Sequence, residues 1–575
     1  MTQIAEREAI QVGLQIAEAQ GGELFESTKT IDLSASERDG FNVDYSADFI
    51  VDNASLQSVI ANLVIESDRT WYLDDQRRLT TLGSSATPLW PTGRFIVTTR
   101  QGKLDRWEFP RFGRFRLVKQ NGSVRIVAPI LDRSSCGLNV WPNANWASRR
   151  ERILLELSRT FLNHLEECAW IEPYPDGARA VICLTDHADF DSPEKARLLA
   201  DHLTRRDICI TKTVFPAADP PSSMPWEETG LDDADYRRSI DRLFENGSEI
   251  AAHGFTPRRN APPLAECKRR LELLREYELK TWVDHGIGQY LFSRGGRLAD
   301  GVHLEPLLEE NGIQNYWSYF DIWDNPFGKD FSVVSERSGI DIVTDFVNRN
   351  HRWTKTTRSE AAWFALHEFR NIVGDGNDVA IRQRPWRVSA WRRGFQWYAV
   401  ARRVRRAPFG LYGRDGAVFQ QALQSPWVFD TVLLNHLSLQ LAPAMVDRLV
   451  ETAGLVIGHC YMTCEHDYAR RNVFQRMDGR PVIEPAFDAA LDYVSDRQRS
   501  GDVSTVSFAQ LRRCLESFVD ARLRRTETGW TTEVSDGATP YESRPRPIQS
   551  DRGLDGRTFT LPRRSLMESQ VVAAH

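Results

Sequence analysis

The stretch that decides the fold is Val181-Ile-Cys-Leu-Thr-Asp-His-Ala-Asp189, a short apolar run that ends in two carboxylates and an imidazole. Four consecutive apolar residues are typical of a strand that is buried on both faces of a parallel sheet. Asp186, His187 and Asp189 are residue types that a packed core does not accept without partners. A divalent metal site or a general base uses such side chains. The alternative is a strand that runs into a polar turn, where aspartate is common.

The same pattern recurs further along the chain. Residues 247–253, 280–285 and 453–459 are strand-like runs that end in His253, His285 and His459. Amphipathic helical segments separate strand-like runs between about residues 178 and 520, which is typical of a parallel α/β architecture. Parallel strands bring their carboxyl ends to one face of a barrel. We therefore expect these polar ends to meet in one site.

Composition indicates an ordinary globular protein with several domains. The 575 residues exceed what a single core usually supports. Charged residues make up 26% and hydrophobic residues 41%, and the net charge of -6 disfavours a nucleic-acid partner. No apolar stretch has the length of a signal peptide or a membrane span, and the eight cysteines are scattered. We therefore expect a cytoplasmic protein with reduced thiols and at most peripheral contact with a membrane.

Local patterns divide the chain into four segments. Strand-like runs between glycine, asparagine and proline turns predict a β-rich N-terminal domain over residues 1–147. A linker over residues 148–177 is predicted to be helical, because its apolar residues recur with a helical period: Ile153, Leu154, Leu157, Phe161 and Leu165. The α/β domain is expected over residues 178–525. A C-terminal tail over residues 526–575 is expected to be loop or disordered at least in part.

A long helical insertion is predicted inside the α/β domain, at about residues 345–425. Its portion from 382 to 406 interleaves arginines with tryptophan, phenylalanine and tyrosine. Arginine forks bind phosphate, and aromatic faces stack on sugars or lie at a membrane surface. This composition suits a glycan with a phosphate or lipid-linked handle. A solvated helix with buried aromatic residues is the alternative.

The order of these segments resembles a known family, the polysaccharide deacetylases of carbohydrate esterase family 4, or NodB homology domain. The stretch Leu184-Thr-Asp-His-Ala-Asp189 resembles the family's first motif, which carries a base and a metal-ligating aspartate. Residues 247–256 resemble the second motif, and residues 282–286 stand where the third is expected. Asp321-Ile-Trp-Asp324 stands at the fourth, and residues 455–459 resemble the last. The resemblance implies a distorted (β/α) barrel and a hydrolase that removes an acyl group from an N- or O-acylated sugar or polysaccharide intermediate.

The resemblance also implies roles for individual residues. Asp186 corresponds to the catalytic base and His459 to the general acid. The divalent metal, for which we expect Zn²⁺, is assigned to four residues: His187, Asp189, His253 and His285. Contact with the acylated sugar or glycan is assigned to four others: Trp282, Asp284, Asp321 and Asp324.

Departures from the family pattern leave alternatives open. Pro257 occupies the place of the second motif's other histidine, and Asp284 and His285 replace the arginine and proline of the third. His187, Asp189 or His285 is therefore expected to supply the missing ligand, which retains a mixed histidine and aspartate site. One alternative function is a deacetylase-like scaffold that has lost hydrolysis and binds a glycan or a partner protein. Another is a metal hydrolase that cleaves a different C–N bond.

Overall fold

The structure, a computed structural model, describes two large β-sheets with the helices that surround one of them. Its described residues are 10–20, 23–38, 41–52, 56–73, 78–83, 87–89, 95–109, 115–132, 150–171, 174–218, 229–257, 262–285, 298–322, 411–413, 427–434, 437–451, 454–465, 473–527, 529–533, 558–560 and 563–564. Apart from residues 411–413, the predicted insertion at 345–425 lies outside this set, and so does Asp324.

An antiparallel sheet of 13 strands takes twelve strands from residues 10–162 and one, β27, from residues 558–560, in agreement with the β-rich N-terminal region that was expected. Its strands follow the spatial order β27-β6-β5-β8-β9-β12-β3-β2-β1-β4-β11-β10-β7. Their bounds are β1 (Ile10–Gln20), β2 (Glu23–Arg38), β3 (Asn42–Asp52), β4 (Leu56–Glu66), β5 (Arg69–Leu73), β6 (Arg78–Thr81), β7 (Thr87–Leu89), β8 (Phe95–Arg100), β9 (Lys103–Glu108), β10 (Phe115–Gln120), β11 (Ser123–Asp132), β12 (Arg150–Leu162) and β27 (Thr558–Thr560).

Strand β12 corrects the helix predicted for the linker. It pairs antiparallel with β3 along almost its whole length and with β9 at its carboxyl end. Leu155 and Leu157 are buried at 0% and 1% exposure, which is the two-residue period of a strand. The apolar residues of this segment satisfy a helical period as well. The pairing of the backbone with two neighbouring strands decides between the two patterns.

A second, parallel sheet follows and curls on itself. Its main path runs β15-β16-β17-β18-β20-β21-β14-β24, with β19 antiparallel to β20. The strands are β14 (Ala180–Asp186), β15 (Thr211–Val214), β16 (Glu249–Ala252), β17 (Thr281–Trp282), β18 (Asn315–Ile322), β19 (Leu411–Gly413), β20 (Trp427–Leu433), β21 (Leu455–Cys460) and β24 (Val503–Thr505). A short parallel pairing between β14 and β15 brings the two sides of the curl together. The described residues therefore form a curled parallel α/β sheet, and the distorted (β/α) barrel that the family resemblance implies stays a prediction.

Strand β14 holds the centre of this sheet. All seven of its residues are buried, and it pairs in parallel with β15, β21 and β24. The apolar run of β14 therefore lies in the core as predicted. Its polar end emerges where the neighbouring strands also end, which is the arrangement that brings ligands together.

Helices cover the outside of the parallel sheet and contribute apolar side chains to its core. Ser192 precedes the first of them, with proline at its first helical position, and Asp233 caps the second by accepting from the backbone. The helices are α1 (Pro193–Thr204), α2 (Ala234–Glu245), α3 (Leu264–Glu272), α4 (Leu304–Glu310), α5 (Leu437–Gln440), α6 (Pro443–Glu451), α7 (Pro485–Arg499) and α8 (Phe508–Asp520). Among the residues described, none of these helices is long and apolar enough to cross a membrane.

Short strand pairs complete the described structure and revise the expected start of the tail. They are β13 (Trp170–Ile171) with β28 (Arg563–Arg564), β22 (Phe474–Met477) with β23 (Arg480–Ile483), and β25 (Arg522–Thr526) with β26 (Gly529–Glu533). Hairpin β25–β26 contacts the N-terminal sheet, where Arg524 lies 2.6 Å from the Asp44 carboxylate. Strand structure thus continues past residue 526, where the Trp530 indole N–H donates to the Glu167 oxygen at 2.6 Å.

Candidate metal centre

The candidate centre is formed where strands of the parallel sheet end. His187 and Asp189 follow β14, and His253 follows β16. His285 follows β17. His459 is the last residue but one of β21 and lies in register with Thr185 of β14. Because neighbouring parallel strands end on the same side, side chains that are up to 272 positions apart in sequence meet here. The structure brings together the four residues predicted as metal ligands.

The Asp189 carboxylate is the common partner of two histidines. Its Oδ2 lies 2.9 Å from His253 Nε2, and its Oδ1 lies 3.0 Å from His285 Nε2. The aspartate side chain is 16% exposed, whereas the two imidazoles are almost fully buried. Burial opposes ionisation, but the two histidines outweigh it and hold the pKa of Asp189 well below its usual value. Asp189 is therefore an anionic oxygen donor at the mouth of a buried histidine cluster.

Both ring nitrogens of His253 face oxygen acceptors. Its Nδ1 lies 3.3 Å from the backbone oxygen of Val283, and its Nε2 lies 2.9 Å from the Asp189 carboxylate. A neutral imidazole carries one N–H and cannot donate to both oxygens, and burial lowers the pKa of His253. With the proton on Nε2, His253 donates to Asp189. With the proton on Nδ1, Nε2 keeps its lone pair, which is the usual arrangement of a histidine that ligates metal.

His187 adds another nitrogen to the cluster. Its ligand atom and those of Asp189 and His253 all lie within 4.8 Å of one another. Its Nε2 is buried and makes no hydrogen bond with the described part of the chain, and the same holds for His285 Nδ1. Burial lowers the pKa of His187 well below its usual value. A buried nitrogen without a partner is costly unless a ligand satisfies it, so His187 fits a metal-binding role.

His459 lies against this cluster. Its ring stacks on that of His187 with centroids 3.7 Å apart. The ring centroids of Trp317 and Tyr461 lie 5.0 and 4.7 Å from that of His459. Strand register places His459 beside Thr185, one residue before the polar end of β14. This location agrees with a residue that exchanges protons with a substrate held at the cluster.

Asp186 does not have the surroundings of a catalytic base. Its side chain is fully buried, Oδ2 accepts from Lys212 Nζ at 2.6 Å, and Oδ1 accepts from the Met462 amide at 2.7 Å. Burial raises the pKa of Asp186 to about 6, and the Lys212 ammonium opposes that increase. Because both oxygens face donors inside the protein, the geometry gives Asp186 an anchoring role. The catalytic-base role that the family resemblance implies for Asp186 stays a prediction, which this geometry does not favour.

Lys212 and Asp191 are the site-forming residues that the sequence reasoning missed. Lys212 lies in β15, is 1% exposed, and reaches Asp191 Oδ2 at 2.8 Å in addition to Asp186. Asp191 also accepts from the Tyr236 hydroxyl at 2.6 Å. The signal was a lysine within the strand-like run at 208–215. A lysine in a buried strand requires a carboxylate partner.

The residues predicted to contact substrate are found elsewhere or are not described. Trp282 and Asp284 are 1% and 2% exposed, and the Trp282 indole N–H donates to the Asp284 carboxylate at 2.9 Å. Both side chains are buried and bonded to each other, and their predicted contact with substrate stays a prediction. The backbone of Asp321 lies in β18, in register with Thr431 of β20. Asp324 lies outside the described residues.

Comparison with known proteins leaves the family open. No protein-family model and no curated protein sequence matches the chain. It is similar to a glycoside hydrolase family 97 enzyme from Pseudoalteromonas sp. strain K8 in complex with acarbose, at 9% identity and a TM-score of 0.24, over 54% of this chain and 54% of that one. It is also similar to a glycoside hydrolase family 31 dextranase of Flavobacterium johnsoniae complexed with glucose, at 9% identity and a TM-score of 0.24, over 88% and 65% of the two chains. The chain spans about half the length of the family 97 enzyme and less than two thirds of the dextranase. Function is therefore inferred from the geometry of the site and from the order of the motifs along the sequence.

Proposed function

We propose that this chain is a metal-dependent hydrolase that removes an acyl group, such as acetyl, from an N- or O-acylated sugar. One observation carries the proposal: a single carboxylate, Asp189, contacts the Nε2 atoms of two buried histidines at 2.9 and 3.0 Å. His187 lies beside them with a buried nitrogen that makes no hydrogen bond to the described residues. The order of the ligand-bearing segments along the chain supports the deacetylase type.

The donor set fits a borderline-soft divalent ion. Imidazole nitrogens and one carboxylate are the ligands that Zn²⁺ prefers in hydrolytic enzymes, where a position is left for water. His187, Asp189 and His253 would hold the ion, with His285 beside Asp189 as a further donor. Such an ion, when bound, polarises the acyl carbonyl and makes water available as a nucleophile at neutral pH.

Proton transfer falls to His459. Its ring stacks on that of His187 at the edge of the ligand cluster, which places a second imidazole beside the proposed ion. His459 accepts a proton from the attacking water and returns it to the leaving amine or alkoxide as the bond to the acyl carbon breaks. The products are a carboxylic acid and a free amine or hydroxyl on the sugar. Asp186 takes no part in this exchange, because Lys212 and the Met462 amide occupy it.

Metal content and acetate release test the proposal together. Purified protein is expected to contain close to one equivalent of metal, and His253→Ala is expected to lose it, since one ligand and its contact with Asp189 disappear. Acetate release from N-acetylated chitooligosaccharides is expected to fall by about two orders of magnitude or more in the same variant.

A half-buried histidine outside the ligand cluster provides the matched control. His202 lies in the last turn of α1 and pairs with Asp488 of α7, so His202→Ala removes an imidazole that is not one of the proposed ligands. It is expected to retain metal and activity. Folded wild-type protein that binds no Zn²⁺ would refute the proposal. Metal binding without acetate release would instead favour a hydrolase of another C–N bond or a protein that only binds glycan.

A further inference from the structure

The parallel sheet contains a buried ion cluster that the proposed reaction does not use. Lys212 is 1% exposed, and both of its carboxylate partners, Asp186 and Asp191, are 0% exposed. The ammonium lies 2.6 Å from Asp186 Oδ2 and 2.8 Å from Asp191 Oδ2. We call these three residues the Lys212 clamp. Burying three charges is costly, and such clusters persist where the geometry they impose is needed.

The clamp encloses the ligand-bearing turn. Asp186 is the last residue of β14 and Asp191 lies five positions later, so the two carboxylates bracket His187 and Asp189 in sequence. A single ammonium holds both ends of this short segment. We propose that Lys212 is a positioning residue that fixes the turn carrying His187 and Asp189, so that both side chains face His253.

Further contacts extend the clamp to the loop after β21. The Thr463 hydroxyl donates to Asp191 at 2.7 Å, and the Met462 amide donates to Asp186 at 2.7 Å. The Tyr236 hydroxyl of α2 donates to Asp191 at 2.6 Å. Each carboxylate is thus held from two or more separate segments. The loop that follows His459 and the turn that follows β14 are therefore joined through the same two carboxylates.

Backbone hydrogen bonds attach the start of the turn to the sheet. The His187 amide donates to the Cys460 oxygen at 2.9 Å, and the Ala188 amide donates to the Thr213 hydroxyl at 3.1 Å. The end of the turn at Asp191 is joined to its start through the ammonium. Without that cation, the two buried carboxylates repel each other, so one of them takes up a proton or moves away, and in either case the link between the two ends of the turn is lost.

Hydrogen exchange in metal-free protein tests the clamp directly. In Lys212→Met, the amides of residues 187–191 are expected to exchange about tenfold faster or more than in the wild type, because the turn opens locally. The Kd for Zn²⁺, measured by competition with a chelating dye, is expected to rise about 10- to 100-fold. The second readout rests on the proposed function, whereas the first does not.

A control variant separates positioning from general loss of stability. Glu249 begins β16, at the opposite end of the strand from His253, and accepts from the Ala509 amide at 2.9 Å and the Thr211 hydroxyl at 3.1 Å. Glu249→Leu is expected to lower the Tm but to leave the exchange of residues 187–191 and the Kd for Zn²⁺ within about twofold of wild type.

A milder variant decides the outcome if Lys212→Met does not fold. Tyr236→Phe removes one hydroxyl donor to Asp191 and keeps the ring, so it is expected to fold and to exchange residues 187–191 about two- to threefold faster. Wild-type exchange of this turn in folded Lys212→Met, or in Tyr236→Phe when the lysine variant is unfolded, would overturn the inference. Failure of the wild type to bind Zn²⁺ would refute the proposed function, and the exchange result would still decide the role of Lys212.

Discussion

Gly458→Ala is expected to disturb the strand that carries His459. Gly458 lies in β21 between Leu184 of β14 and Val432 of β20, one position before His459. A methyl group at this position would overlap the Leu434 side chain, with Leu434 Cγ at 3.1 Å and Leu184 Cδ2 at 3.2 Å as the next contacts. Glycine is therefore required here by space.

The expected loss of stability in Gly458→Ala follows from how little room the neighbouring side chains have. Leu434 and Leu184 are 1% and 2% exposed, so neither can rotate into solvent. The Leu434 amide also donates to the His459 oxygen at 2.7 Å, which couples any shift of Leu434 to His459. Overpacking of a dense core by one methyl group costs about 1–3 kcal/mol. We expect the upper half of that range, because both neighbours are enclosed.

A double-mutant cycle with Leu434→Ala measures this overlap. The single Leu434→Ala change is expected to cost about 2–5 kcal/mol by leaving a cavity. In the double variant the new methyl occupies part of that cavity, so the combined loss is expected to be about 1–2 kcal/mol smaller than the sum. Hydrogen exchange of peptides from β14 and β21 reports the local free energy, which suits a chain with more than one sheet. Full additivity, or a Gly458→Ala variant as stable as the wild type, would refute the reasoning.

Other predictions concern buried polar groups. Arg106→Met removes the guanidinium 2.7 Å from the Glu108 carboxylate, with both side chains almost fully buried, and is expected to cost about 3–5 kcal/mol in urea unfolding. Thr185→Val removes the hydroxyl that donates to the Gly458 oxygen at 2.8 Å. It is expected to lower the free energy of unfolding in urea by about 1–2 kcal/mol. Burial raises the pKa of Glu249 against the hydrogen bonds that it accepts. The folded state therefore holds this proton more tightly, and stability is expected to fall as the pH rises from the unfolded pKa through the raised one. Glu249→Gln should flatten the fall in stability that begins above about pH 4, and an unchanged slope would contradict the assignment.

Much of the parallel sheet could be predicted because it depends on local pattern. The apolar run of β14 and its polar end are consecutive in sequence, and the structure buries the run as expected. The histidines after β16 and within β21 follow the same rule, which is why His253 and His459 could be placed at strand ends. Strand β12 could not be predicted from the sequence, because its apolar residues fit both a helical and a strand period. Only its pairing with β3 and β9 excluded the helix.

The sequence by itself determined which residue types stand at the ends of the buried strands, since that depends on neighbours along the chain. Only the tertiary structure decided how they divide their roles. Parallel register places Lys212 of β15 opposite Asp186 of β14. A buried ammonium beside a buried carboxylate forms an ion pair, so Asp186 became an anchor. Asp189, three residues later, lies at the histidines instead. Charge pairing acts across strands that are distant in sequence, and no local pattern records which strands become neighbours.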